Sequence, residues 1–312
     1  MNTITKVITG LLTIIAIVSC SGFGDQCVAL CGGKDVIIID ISKSEGKNLH
    51  EVWRWNIEEP TEGLPAEYGK YLNPLDECKF VDGGKKLLLT SSHSGTVLMD
   101  IKSKKALFYA RTPMAHSADL LPNGRIAVAN STHKKGNSLE LYDINKPEVV
   151  LFKDSLYSGH GAVWMDERES LFALGHDCLR EYKLKDWASE KPSLELNSSW
   201  KLPVRSGHDL SRVDKDRLLV SGHEGVVWFD LRSDKFEPFE PLKSTLNVKS
   251  VNYDAKSERL IYTKAEESWW THNIYQESPD KVITIDSMKI YKDQTIVYSK
   301  YKAKYVNQKT RS

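Results

Sequence analysis

The sequence predicts an all-β fold, and three observations lead there. Short apolar runs recur along the chain, each bounded by polar turn residues. No long stretch carries a sustained helical period. The runs return every 40–50 residues, the length of one four-stranded propeller blade. Together these predict a six-bladed β-propeller of four-stranded blades, closed by strands from both termini.

The elements follow in chain order. Ile37–Ile57, with Ile39-Asp40-Ile41 inside it, supplies outer strands without an inner one. Five units come next, each with a polar turn before a short apolar strand. The pairs are Asp82-Gly83-Gly84 before Lys85–Thr90, Pro122-Asn123-Gly124 before Arg125–Ala129, and Asp166-Glu167-Arg168 before Leu171–Leu174. Asp214-Lys215-Asp216 before Arg217–Val220 and Asp254-Ala255-Lys256 before Arg259–Thr263 complete the set. In three units the following strand ends apolar-Asp-apolar: Met99-Asp100-Ile101, Tyr142-Asp143-Ile144 and Phe229-Asp230-Leu231. Six residues before each turn lie Asp76, His116, His160, His208 and Val248, separated by 40, 44, 48 and 40 residues. Met288–Lys302 is left over at the end, with either Met288–Tyr291 or Thr295–Ser299 as the innermost strand of the sixth blade. Joining both ends removes the open sheet edges.

Composition excludes several classes. With 312 residues, 40% hydrophobic and 27% charged, the chain is neither a polytopic membrane protein nor a disordered one. Lys+Arg number 43 against 42 Asp+Glu, a net charge of +1, so nucleic acid is not an expected partner. A monomer is expected. The chain has no HExxH pair, P-loop, dinucleotide fingerprint or nucleophile elbow, which disfavours hydrolysis by an activated serine.

The N-terminus reads as a targeting segment. Lys6 precedes the apolar stretch Val7–Val18, which is too short to span a bilayer and fits a signal-peptide core. Ile17-Val18-Ser19-Cys20 resembles a bacterial lipobox. That resemblance implies cleavage before Cys20, a lipid on its thiol, and an exported protein held at the cell envelope by its anchor. The organisation is then 1–19 signal peptide, 20–34 lipidated segment and first strand, and 35–312 propeller. Cys27, Cys31, Cys78 and Cys178 remain in the mature chain. Export permits a bridge from Cys27 or Cys31 to Cys78, and small buried hydrophobic roles are the alternative.

The Ser-Gly-His segments at Ser158–His160, Ser206–His208 and Ser221–His223, with His116–Gly124, resemble an uncharacterised family of bacterial six-bladed propeller lipoproteins. The resemblance covers nearly the whole mature chain and implies fold and location, without an activity. By residue type, the histidines also resemble the metal site of oligogalacturonate lyases, which are propellers.

Two positions of the repeat gather the histidines. His116, His160 and His208 share one, with Asp76 before them and Val248 after. His93, His133, His176 and His223 lie 17, 17, 16 and 15 residues further on, at the far end of the same hairpins. The first strand of a blade lines the channel, so both sets face one channel mouth. His160, His176, His208 and His223, on two adjacent blades, are the candidate ligands for a divalent transition metal. His116 is the candidate catalytic base. Arg205 suits an anionic group, and Asp76 belongs to the ring. Glu77 and Lys249 stand one residue along and reach the mouth only if the register shifts. The pair Trp269 and Trp270, in an irregular segment, suggests a stacking surface for a sugar ring. A tight-turn role for Gly-His, as in WD repeats, is the structural alternative.

Three functions stay open: a binder of glycan or protein at the His-rich mouth, a metal-dependent lyase on uronate-containing oligosaccharides, and a structural or protein-interaction propeller. Replacing Cys20 with Ala should move the protein from the membrane to the soluble exported fraction. Unchanged membrane association on fractionation would contradict the anchor.

Overall fold

The computed structural model describes residues 26–276 and 281–290, and the backbone of 292–295. Its strands form six four-stranded antiparallel sheets. Five of these are built from consecutive strands, with innermost strands Leu75–Val81, Ala115–Leu121, Gly161–Met165, Asp209–Arg212 and Val248–Asp254. These belong to the second through sixth blades. The first blade takes Cys27–Gly32, Asp35–Asp40 and Glu51–Asn56 from the start of the chain and Lys292–Thr295 from its end.

Lys292–Thr295 pairs antiparallel with Cys27–Gly32, Val28 opposite Thr295 and Cys31 opposite Lys292. It also packs beside the innermost strands of the second and sixth blades, which closes the ring. The closing strand therefore lies between the two segments expected for it. Met288 and Ile290 are buried beside Val28, Leu30 and Ile39, and Ile290 makes a single bridge to Thr271. Their side chains fill the seam between the sixth and first blades, and the chain enters the sheet only after them. Thr295 is shared with the second expected segment, and residues 296–312 lie outside the described residues, as does Cys20.

Each blade is sandwiched between two others, so its middle strands are covered on both faces. That is why the second strands read as unbroken apolar runs instead of alternating. Leu87, Leu88 and Leu89 are all 0–1% exposed, and so are Leu218, Leu219 and Val220. Outer strands such as Phe152–Ser155 and Lys235–Pro238 are mostly solvated. The three apolar-Asp-apolar motifs, with Asp40, end the third strand of their sheets. Each Asp accepts a backbone N–H two or three residues on: Ser42, Ser103, Asn145 and Arg232 are the donors. The carboxylate thus forms the turn to the outer strand. The Ser42 and Ser103 hydroxyls, and for Asp230 the Ser233 N–H and hydroxyl, together with these backbone bonds hold the Asp40, Asp100 and Asp230 carboxyls below the usual range.

Cys27, Cys31 and Cys78 are buried thiols, and Cys31 and Cys78 touch across the first two blades. No helix among the described residues is long and apolar enough to cross a membrane.

A chain ending at Ser287 lacks the closing strand and leaves the Cys27–Gly32 edge and its apolar face open. Its cooperative thermal unfolding should be lost or shifted far down by calorimetry. An unchanged transition would contradict closure by the C-terminal strand.

Candidate functional site

An innermost strand has no further strand on its channel side, so its outward backbone groups need other partners. Side chains of earlier blades supply them. Glu77 accepts from Ala118 N–H at 3.1 Å and from the Ser117 hydroxyl at 3.0 Å. Ser117 Oγ accepts from Ala162 N–H at 3.1 Å, and Asp119 accepts from Trp164 N–H at 2.8 Å. Asp209 accepts from Val251 N–H at 2.9 Å. The Lys79 ammonium donates to the carbonyls of Ala118 (2.9 Å) and Ala162 (2.7 Å) and lies 3.6 Å from Glu77. Burial raises the Asp119 carboxyl above its usual range, with Lys79 opposing the shift.

This lattice fixes the inner strands side by side and so aligns the residues at their entrances. In three blades the entrance carries a register shift, at Leu75/Glu77, Ala115/Ser117 and Val248/Ser250. The extra residues are Asp76, His116 and Lys249. In the other two blades His160 and His208 immediately precede the ladder and donate their N–H to the second strand, at Leu174 O and Ser221 O. Lys249, not Val248, is therefore the sixth-blade counterpart of the histidines. Asp254, which by sequence opens the turn, is the last residue of the inner strand, so a count back from it falls one residue short.

The tight entrance explains Ser-Gly-His. Ser158 and Ser206 adopt φ of 49° and 52°, and a Cβ on Gly207 would lie 2.8 Å from the Gly175 carbonyl oxygen. The chain swings against the preceding blade there, which presents the next residue to the mouth.

The result is a continuous run of basic side chains. The rings of His116 and His160 meet edge-on with centroids 4.5 Å apart, and those of His160 and His208 at 5.7 Å. His223 stacks on His208 at 4.9 Å. The Lys249 ammonium lies 3.1 Å from His208 Nε2 and 3.5 Å from its Nδ1. His116 and His160 turn Nδ1 to the carbonyls of Met114 (3.1 Å) and Ser158 (2.8 Å), which orients their rings. Partial burial and the Lys249 charge pull the His223 imidazole below 6.5; Arg205 and His176 add to this and Glu224 opposes it.

The remaining candidates sit around this run. Asp76 accepts from Ser92 N–H at the second-blade entrance. Glu77 is turned into the channel wall, where it serves the neighbouring strand. His176 packs edge-on against Tyr157 at 5.5 Å, outside the chain of ring contacts formed by His160, His208 and His223. His93 is exposed, and His133 Nδ1 accepts from Lys135 N–H. Arg205 is exposed and paired with Glu224. Trp269 is 59% exposed in the loop after Arg259–Lys264, at the mouth end of the sixth blade. Trp270 packs under Lys289 at 4.3 Å and against His272 at 5.1 Å. Tyr157, 60% exposed just before the fourth-blade entrance, was not singled out by sequence; only its place before Ser158-Gly159-His160 marks it. Among the described residues no group of three or more His, Cys, Asp or Glu side chains is arranged to hold a metal ion.

Fold and mouth define a six-bladed propeller with a histidine–lysine entrance to its channel. A family model described as a family of unknown function, DUF6528, matches residues 33–309, and the chain belongs to that family. No curated protein matches the sequence.

A lowered pKa means that unfolded chains bind more protons near and below pH 6.5. The contribution of His223 to stability is therefore complete above that value and is lost as pH falls through the window below it. In an NMR titration the His223 midpoint should lie below 6.5. Lys249→Met should move it part of the way up, and Glu224→Gln further down. A midpoint unmoved by Lys249→Met would exclude the electrostatic link.

Proposed function

We propose that the protein is an exported, lipid-anchored propeller that binds an anionic carbohydrate, of uronate type, at the histidine–lysine mouth. The observation that carries this reading is the unbroken contact run His116–His160–His208–Lys249, with His223 stacked on it. Neighbouring imidazoles and an ammonium repel one another when protonated. An anion placed among them relieves that repulsion and accepts their hydrogen bonds. Tyr157 and Trp269, both exposed at the same end of the propeller, offer ring faces to a sugar. Arg205 flanks the site through its pair with Glu224.

Calorimetric titration with trigalacturonate, against its uncharged methyl ester, tests the reading. The acid should bind more tightly, and more so as pH is lowered through the window in which His223 gains its proton. Lys249→Met should weaken binding roughly tenfold, about 1.4 kcal/mol. A transition metal held by His160, His208 and His223 would show the opposite trend, with binding lost on acidification. Equal affinity for acid and ester, or no binding of either, would overturn the proposal. Release of an unsaturated product would extend it to a lyase with His116 as base.

A further inference from the structure

We infer that the face opposite the mouth carries a second binding site, for the ring of a neutral saccharide, in the cleft between Trp164 and Trp187. This does not depend on the reading of the mouth. The inner strands of the third and fourth blades start at the mouth and end at Leu121 and Met165. The turns that follow them, and the segment after Cys178–Lys185, therefore lie at the far face. These three pieces surround a cleft of about 430 Å³ whose walls include Pro122, Asn123, Trp164, Leu184, Trp187 and Ala188. That volume falls within the range of small-molecule sites.

The walls are held in place. The Trp164 indole N–H donates to Asp166 at 2.8 Å and its backbone N–H to Asp119, so its ring is fixed. Trp187 carries the Arg125 guanidinium over its ring at 4.7 Å. Trp187 Nε1 in the wall, and Arg125 Nε behind its ring, are buried donors with no acceptor among the described residues. Orphaned buried donors are rare and call for an explanation.

The charges choose the ligand. Arg168, Lys183 and the carboxylate of Glu169 border the cleft, and both cations are engaged within the protein. Arg168 pairs with Glu181 and donates to Leu231 O, and Lys183 donates to Arg168 O at 2.8 Å and Ser170 Oγ at 2.6 Å. An anionic ligand would therefore have to break existing bonds. The half-buried Trp187 indole, with the largely buried Trp164 behind it and the exposed Asn123 amide at the rim, instead suits a pyranose: C–H groups against the Trp187 ring, hydroxyls to the amide.

Saturation-transfer NMR on the full-length protein, with glucose, galactose, mannose, N-acetylglucosamine and their common disaccharides as probes, tests this. At least one should bind in the millimolar range. Trp187→Ala should weaken it about tenfold or more. Ala188→Arg, at an exposed position that fills the cleft without disturbing the core, should do the same with thermal unfolding unchanged. Lys249→Met, at the other face, should leave it intact. Absence of binding by every probe, or binding unchanged in Ala188→Arg, would overturn the second site. Loss with Lys249→Met alone would assign the sugar to the mouth.

Discussion

The structure depends on how each innermost strand satisfies its channel-side edge. A strand needs partners on both sides, and here the inner side faces a channel with no further strand. Carboxylates, a hydroxyl and an ammonium from adjacent blades take that place. Glu77, Ser117, Asp119 and Asp209 reach forward to the next blade's amides, and Lys79 crosses to two carbonyls. These bonds are buried, so leaving one unmade would cost about 1–3 kcal/mol. They set the angular spacing of the blades, and the spacing sets which entrance residues meet. The ring contacts among His116, His160 and His208 follow from this inner polar lattice.

Much of the fold was legible in the sequence because it obeys local rules. The unbroken apolar second strands report burial on two faces. Asp40, Asp100, Asp143 and Asp230 mark a turn that a short carboxylate side chain builds by itself. The shared offsets of His116, His160 and His208 became contacts because their strands start at equivalent heights.

What the sequence did not disclose depends on neighbours. Spacing put Val248 at the sixth-blade entrance, but the inner strand runs on through Asp254, which puts Lys249 there. Glu77, one residue from the mouth, is drawn inward by two donors of another blade. His176 has the right offset for the site but finds Tyr157 first. Lys292–Thr295, a polar run, becomes an inner strand because it faces the channel. The more apolar Met288 and Ile290 go to the seam between blades, so hydrophobicity pointed just ahead of the true strand. The cleft at the far face was invisible because Trp164, in an inner strand, and Trp187, in the turn after Lys185, meet only after folding.

The entrance bulges have an evolutionary reading. A residue extruded from the ladder makes none of the ladder's own hydrogen bonds, so its replacement leaves the strand pairing intact. Asp76, His116 and Lys249 occupy such positions, and they are an acid, an imidazole and an amine. The same backbone can thus present almost any chemistry at its opening. A lineage could change what the rim recognises by single substitutions, while the lattice beneath it stayed untouched.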